Sequence, residues 1–492
     1  MREVERRAGA MSGRARFGTA VRTFTSFVLM VSLGGVAGGE PASGSVVLRE
    51  PARGGECTRV QIELKAEGLF QPGLPPQAAA EARLPKPLSL EVQTRSRFRE
   101  RLLGEGFWGA GRGDRRPAEA SPPRGLVARS VRWVEEAASA IQGDVRPTAS
   151  RLRAELSLLV VGRSEPGGEV VVASPAGPLT RSELELVQGV GDPLVLPDLL
   201  PQQPVASGES WKVPASALPA LTGYDTVQSS SLEATLASVA DDSARILLKG
   251  TVAGSVLGGP GSMECEGQLI FDRTEELVTR LELNRRERRD PGPVEAGLDV
   301  KSSLVVVRRR VPVPTELADA ALAAAPLDLA PERQLLQFIS PDGKFDLLHD
   351  RHWHLYWDDP KLAVLKRIDH GKVVAQCNLT AGPFAGKGKH QDVNQFRDEL
   401  RQALKQRFIR FLGAGEVDGE AEGGFRYKVA VQGREGELGV LWYYYLLASP
   451  EGDQWLATFT LAEADAQVFG DQDLQMIGSL RWTDPAPAAE RR

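Results

Sequence analysis

The chain is short of nearly everything from which reaction centres are built. Its 492 residues include only three cysteines, Cys57, Cys265 and Cys377, and five histidines, His349, His352, His354, His370 and His390. No CxxC pair occurs, so zinc or dithiol chemistry that needs two closely spaced thiolates is excluded. Nor is there a G-x-S-x-G elbow, a Walker loop, an H-E-x-x-H pair or a dinucleotide-binding glycine fingerprint. Basic excess is missing as well: the formal charge is −5, and residues 1–39 hold six arginines against two glutamates, so without them it becomes −9. A general nucleic-acid binder needs a basic field to neutralise phosphates, and this composition argues against one.

What is present reads as an exported protein of two folded parts. Arg14, Arg16 and Arg22 precede an apolar stretch from Phe24 to Val36, followed by small residues that offer a cleavage site, so residues 1–39 are expected to be a signal peptide. Met11 is an equally good start. The stretch is shorter than the roughly 20 residues of a spanning helix, so no membrane-spanning segment is expected once the leader is removed. The mature protein is then expected outside the cytoplasm, in the periplasm or beyond. That compartment permits a disulfide, and Cys57 with Cys265 is the one pair inside a single predicted domain.

Residues 44–310 read as a β-rich domain. Val60, Ile62 and Leu64 alternate with Gln61, Glu63 and Lys65, the period of a strand with one buried face. Residues 104–125 are a Gly/Arg/Pro-rich insertion expected to be flexible. Thr180 and Glu183 have capping-box spacing, which predicts a short helix from Arg181. From Val227 onward, short alternating runs separated by turns predict an antiparallel meander. Its arginine-dense pieces, Arg285 to Arg289 and Arg308 to Arg310, are expected to be solvated strand ends. Residues 311–334 turn to Ala, Pro and Leu and read as a linker.

Residues 335–484 read as an α+β domain, and 485–492 as a disordered tail. A first strand is predicted over Lys344 to Tyr356. A helix is predicted from Val393 to Leu412, with Asp392 at its cap, Gly413 as its stop, and Phe396, Leu400, Leu404, Phe408 and Phe411 on one stripe. The run from Val440 to Leu447 is apolar or aromatic on both faces and should be a central strand. A helix near Asp471 to Ile477 and a strand at Leu480 to Trp482 close the domain.

The order of Phe345-Asp346-Leu347-Leu348, Trp353, the amphipathic helix, Tyr427, the Trp442–Tyr445 strand and Phe459 resembles the PsbP/DcrB-like superfamily. The Gly208-Glu209-Ser210-Trp211-Lys212 segment with its meander resembles exported bacterial two-domain proteins, of no assigned role, that carry the same C-terminal part. The resemblance covers about residues 338–484 and implies an antiparallel sheet flanked by helices there; with the curved antiparallel sheet read from the pattern of the N-terminal part, the expected class is α+β. The resemblance implies non-catalytic roles in binding or assembly and transfers no site residues.

Three functional readings therefore stand. The first is a non-catalytic binding or assembly protein whose partner is another exported protein, with the Trp/Tyr-rich C-terminal sheet as the partner surface. The second is a metal-binding protein or metal-dependent enzyme using the cluster 349–354. In an extended chain His352 and His354 lie on one face about 7 Å apart, with Asp350 on the same parity as a third ligand. The bland counterpart is that Trp353, Leu355 and Trp357 are the buried face and the histidines its solvated back. The third is a carrier of a lipid or another hydrophobic ligand, held on an N-terminal sheet face lined by Leu232, Ile246, Leu269, Leu281 and Val300, against the alternative that these pack on the protein's own helices. Asp346, Asp350, Asp358 and Asp359 are dense enough for a carboxylate pair, although acidic residues beside turns are more often just solvated.

Overall fold

A computed structural model describes residues 44–74, 84–104, 126–145, 147–164, 169–419 and 423–483. The predicted leader, the terminal tail and all but the first residue of the 104–125 insertion lie outside these residues. The protein is α+β, dominated by antiparallel sheets.

The N-terminal sheet has thirteen strands. Its long members are β1 (Cys57–Gln71), β2 (Leu88–Leu102) and β3 (Leu126–Gly143), followed by the short β4 (Thr148–Arg151), β5 (Leu158–Ser164), β6 (Val170–Ala173), β7 (Ser210–Lys212), β8 (Thr226–Ser230) and β9 (Glu233–Val239). The meander follows as β10 (Ser243–Val256), β11 (Gly259–Asp272), β12 (Leu277–Arg289) and β13 (Gly297–Arg310). The order β6-β5-β3-β2-β1-β13-β12-β11-β10-β9-β7 places β1 between two meanders, with β4 added on β3 and β8 on β10. Period-2 alternation puts Val60, Leu64 and Ala66 of β1 on the same inner face as Leu304 and Val306 of β13, and the whole face is buried in one core. Helix α1 (Arg181–Val187), capped by Thr180 and Glu183 in a reciprocal capping box, and α2 (Leu218–Thr222) cover it.

Leu232, Ile246, Leu269, Leu281 and Val300 are all within 2% of fully buried in this core, so the protein's own chain occupies the face that the carrier reading assigned to a ligand. The arginines depart from expectation. Arg285 and Arg289 are 3% and 6% exposed on the inner face of β12, with Glu287 between them at 3%. Arg308 is also buried and pairs with Glu50 at 2.7 Å. The physical reason is the strand period: β12 carries Leu281 and Leu283 inward, and the same parity carries Arg285, Glu287 and Arg289 inward after them.

The expected Cys57–Cys265 bridge is absent: all three cysteines are free and buried. Cys265 registers through Arg285 and Ser302 with Ala66, nine residues along β1 from Cys57 and three strands across. At about 3.3 Å per residue that offset is roughly 30 Å, against the 4.4–6.8 Å Cα separation of a bridge. The two also face opposite sides, Cys265 in the inner core and Cys57 in an outer cluster.

Residues 311–334 lie along that outer cluster. Leu317 and Leu322 are buried against Cys57, Val131 and Val160, with Val311, Leu327 and Leu329 alongside. Buried Arg101 donates to the Leu317 carbonyl at 2.7 Å and pairs with Asp319.

The C-terminal part holds two sheets. Strands β14 (Leu336–Ile339), β15 (Phe345–His349) and β23 (Arg481–Trp482) form a small one. The larger contains β16 (Trp353–Asp359), β17 (Leu362–Asp369), β18 (Lys372–Ala381), β19 (Phe408–Glu416), β20 (Phe425–Glu435), β21 (Leu438–Ala448) and β22 (Gln454–Ala462), in the order β16-β17-β18-β22-β21-β20-β19. Strand β21 is interior and covered on both faces. Leu441, Tyr445 and Leu447 enter one core with α4 (Gln472–Gly478), while Val440, Trp442 and Tyr444 enter another beneath α3 (Val393–Leu404). Asp473 of α4, 1% exposed, accepts from Tyr445 Oη and Lys428 Nζ, both at 2.5 Å, and ties α4 to the sheet.

The predicted helix to Leu412 ends early. Lys405 takes φ +49°, and Phe408 and Phe411 lie on β19 with Gly413 inside the strand rather than at a helix stop. Strand β19 shifts register between Phe408 and Arg410 and again between Phe411 and Gly413. A bulge inserts one residue, so side chains three apart can share a strand face. The two phenylalanines reach the same core whether the segment is helix or bulged strand.

Candidate functional site

The histidine-rich stretch is not one strand. His349 ends β15, His352 lies in the turn, and His354 is the second residue of β16 in a different sheet. The continuous strand predicted from Lys344 to Tyr356 is therefore broken, while His352, whose carbonyl accepts from the Ile368 N–H at 2.9 Å, still leads directly into β16 ahead of His354. Asp350 does meet His352: its Oδ1 lies 2.5 Å from the ring Nδ1 and accepts from the His352 backbone at 2.8 Å, closing the turn. Burial acts to raise the Asp350 carboxyl, but hydrogen bonds from His352, with the His352 and Arg367 charges, hold it down at about 2. The same hydrogen bond raises the His352 imidazole. His354 pairs in register with Lys366. Among the described residues no group of three or more His, Cys, Asp or Glu could hold a metal ion. His370 extends into solvent beside Asp369, and His390 stacks flat on Phe425.

This stretch proves to be a seam between the two parts of the molecule. Arg351 donates from Nε to the Gln334 carbonyl at 2.8 Å and from Nη2 to the Val172 carbonyl of β6. Arg181 of α1 donates in return to the carbonyls of Arg351 and Trp353. Gln337 donates its backbone N–H to Leu179, Tyr356 its hydroxyl to Leu74, and Lys366 its ammonium to Pro293 at 2.9 Å. His349 is buried at the seam, where desolvation and then the Arg181 charge push its imidazole down to about 4. Trp353 is fully buried and packs edge-on against Phe459 and Phe469. Asp346 and Asp350 lie near this seam, and Asp358 and Asp359 end β16.

The surface with a chemistry of its own lies at the other end of the C-terminal sheet. Strand β19 is the last strand of its sheet and, among the described residues, pairs only with β20. Ile409 and Leu412 are each 46% exposed on it. Arg401 of α3 lies over the rings of both Phe408 and Phe411 at 5.4 and 5.2 Å, with Arg397 over Phe411 at 5.1 Å. Arg410 donates to Gln432 at 2.8 Å and Arg407 to Glu435 at 3.1 Å. Residues 401–415 hold Arg401, Lys405, Arg407 and Arg410 and no acidic residue. An unpaired strand edge presents a row of backbone donors and acceptors. Here that row is flanked by exposed aliphatic side chains and positive charge. Reading the segment as helix concealed it; the β-branched Ile409 and the Gly413–Gly415 spacing were the signals against a helix.

No family model matches the chain, and no curated protein matches it either. Among solved structures it is similar to a Bacteroides thetaiotaomicron VPI-5482 protein, at 15% identity and TM-score 0.23 over 30% of this chain. The match spans about half of that protein's length, 48%. An outer membrane channel from Pseudomonas putida F1 aligns at 6% identity and TM-score 0.12, over 86% of this chain and 99% of its own. Pseudomonas aeruginosa OccK5 aligns at 8% and 0.12, over 85% and 98%. Likenesses this low assign neither fold family nor function. Among the described residues no helix is long and apolar enough to cross a membrane.

Proposed function

We propose that this chain is an exported, non-catalytic binding and assembly protein. In this reading its C-terminal part is a PsbP/DcrB-like module that takes up an extended acidic segment of another exported protein along the β19 edge. The edge itself carries the reading: apolar Ile409 and Leu412 stand on a strand edge that no other described strand covers, and four basic side chains lie between 401 and 415, one of them, Arg407, paired with Glu435. Main-chain pairing supplies affinity in strand addition and alternate side chains supply selectivity. A second copy is the poorer occupant, because antiparallel self-pairing of β19 sets its arginines against their own images, and like charges across a strand pair are destabilising.

The test places a photoreactive side chain at Ile409 of the full chain, with Leu247, an exposed aliphatic residue of β10, as the control position. The expected result is a cross-linked protein from the exported fraction at Ile409, absent at Leu247, weakened by salt and lost in Leu412→Glu. Equal labelling at both positions, or an adduct that survives Leu412→Glu, sinks the reading.

A further inference from the structure

Between α1 with its following turn and the inner face of the N-terminal sheet lies a cavity of about 120 Å³. Ser182 and Gly189, both exposed, stand at its rim. One wall is apolar, built from Ile62, Leu64, Phe98 and Leu186. The rest is lined by Glu185, by serine and threonine side chains such as Thr94, Ser96 and Ser139, and by two buried charge groups that differ in one decisive respect.

The first is complete. Arg132 donates from Nε to Glu100 at 2.8 Å and from both terminal nitrogens to Asp192 at 2.9 and 2.8 Å. The second is not. Arg289 approaches Glu287 and Glu295 only to 3.5 Å, and Arg289 Nε and Glu287 Oε1 have no hydrogen-bond partner. Both side chains are more than nine-tenths buried. A buried donor or acceptor left unpaired is strongly unfavourable, more so when charged. Among the polar groups of its lining, the site therefore holds one buried donor and one buried acceptor left unpaired, beside hydrocarbon.

We infer that this cavity binds a compact, uncharged molecule with a hydroxyl or primary amide at one end and hydrocarbon at the other. Such a group accepts from Arg289 Nε–H and donates to Glu287 Oε1 at once. An anion would face the Glu287 and Glu185 carboxylates and a cation the Arg289 guanidinium, so either charge meets repulsion that an uncharged group avoids. Size sets the remaining limit. A cavity of roughly 150 Å³ holds a benzene, and drug-sized ligands need roughly 300 Å³ or more, so the ligand has on the order of six non-hydrogen atoms. An acyl chain is too long.

The experiment is saturation-transfer NMR on the full chain with five probes of matched size: butane-1,2-diol, isobutyramide, butyrate, butylammonium and benzene. The diol and the amide are expected to bind at least several-fold more tightly than the other three. Glu287→Gln, checked for an unchanged melting profile, should narrow the gap by admitting butyrate, which a merely structural role for Glu287 would not do. Preference for benzene, indifference to charge among the probes, or no binding by any of them overturns the inference. The wild-type ranking decides alone should the variant fail to fold.

Discussion

The two large sheets treat their polar groups in opposite ways. The N-terminal sheet brings charge inside: Arg132, Arg285, Glu287, Arg289 and Arg308 all point into the core or its margin, and most find partners on a neighbouring strand, helix or turn. The C-terminal sheet keeps an aromatic core on both faces of β21 and leaves its backbone polarity open along β19. Internal ion pairs give little net stability but strongly penalise alternatives that break them, so the first sheet is specified from within. An open apolar edge is a liability that proteins usually blunt. The second sheet bears that liability where it has positive charge to select a partner.

This contrast can be broken at its strongest point first. Arg132→Met strands the Glu100 and Asp192 carboxylates in the core, and a loss of about 3–5 kcal/mol is expected. Urea unfolding with Trp133 fluorescence as the local reporter measures it, and the C-terminal transition should move far less. The seam comes next. His349 is neutral in the fold with its imidazole near pH 4, while an unfolded imidazole takes a proton near 6.5. The unfolded state binds more protons as pH falls from 6.5 to 4, so up to about 3 kcal/mol of stability is lost across that window. His352, whose imidazole is raised, works in the opposite sense. Comparing the pH dependence of melting in wild type and His349→Gln isolates the His349 part, and an unchanged acid slope contradicts it.

Smaller effects sharpen the comparison. Thr180→Ala removes the reciprocal cap of α1 and should cost about 1 kcal/mol, seen as a lower denaturation midpoint of the N-terminal part only. Leu412→Glu should leave stability within about 0.5 kcal/mol, as exposed substitutions do, while abolishing capture at the β19 edge. A large stability loss there would show that the edge is structural after all.

Much of the architecture was legible because period-2 alternation is a local signal. The strand read at Arg59 to Leu69 within β1, the meander and the capping box at Thr180 follow from spacing, and the buried run of β21 from its apolar residues on both faces. What escaped depended on where a period is interrupted or on what the strand faces. Three residues, Asp350 to His352, divide the histidine stretch between two sheets, and a turn that short leaves the alternation looking continuous. The bulges of β19 imitate a helical repeat at Phe408 and Phe411. The inward arginines of β12 keep strand parity, but residue type argued for solvent, and only the partners that cover them reverse that. No local pattern could pair Arg289 with Glu295 or set Arg181 against Arg351.

The segment 311–334 finally bears on how this protein can be divided. A fragment ending at Arg310 would uncover Cys57, Val131 and Val160 to water and leave Arg101 without the Leu317 carbonyl. An N-terminal piece able to stay dispersed in solution must therefore run past Leu329. The stretch whose composition suggests a dispensable tether is the outer skin of the first sheet.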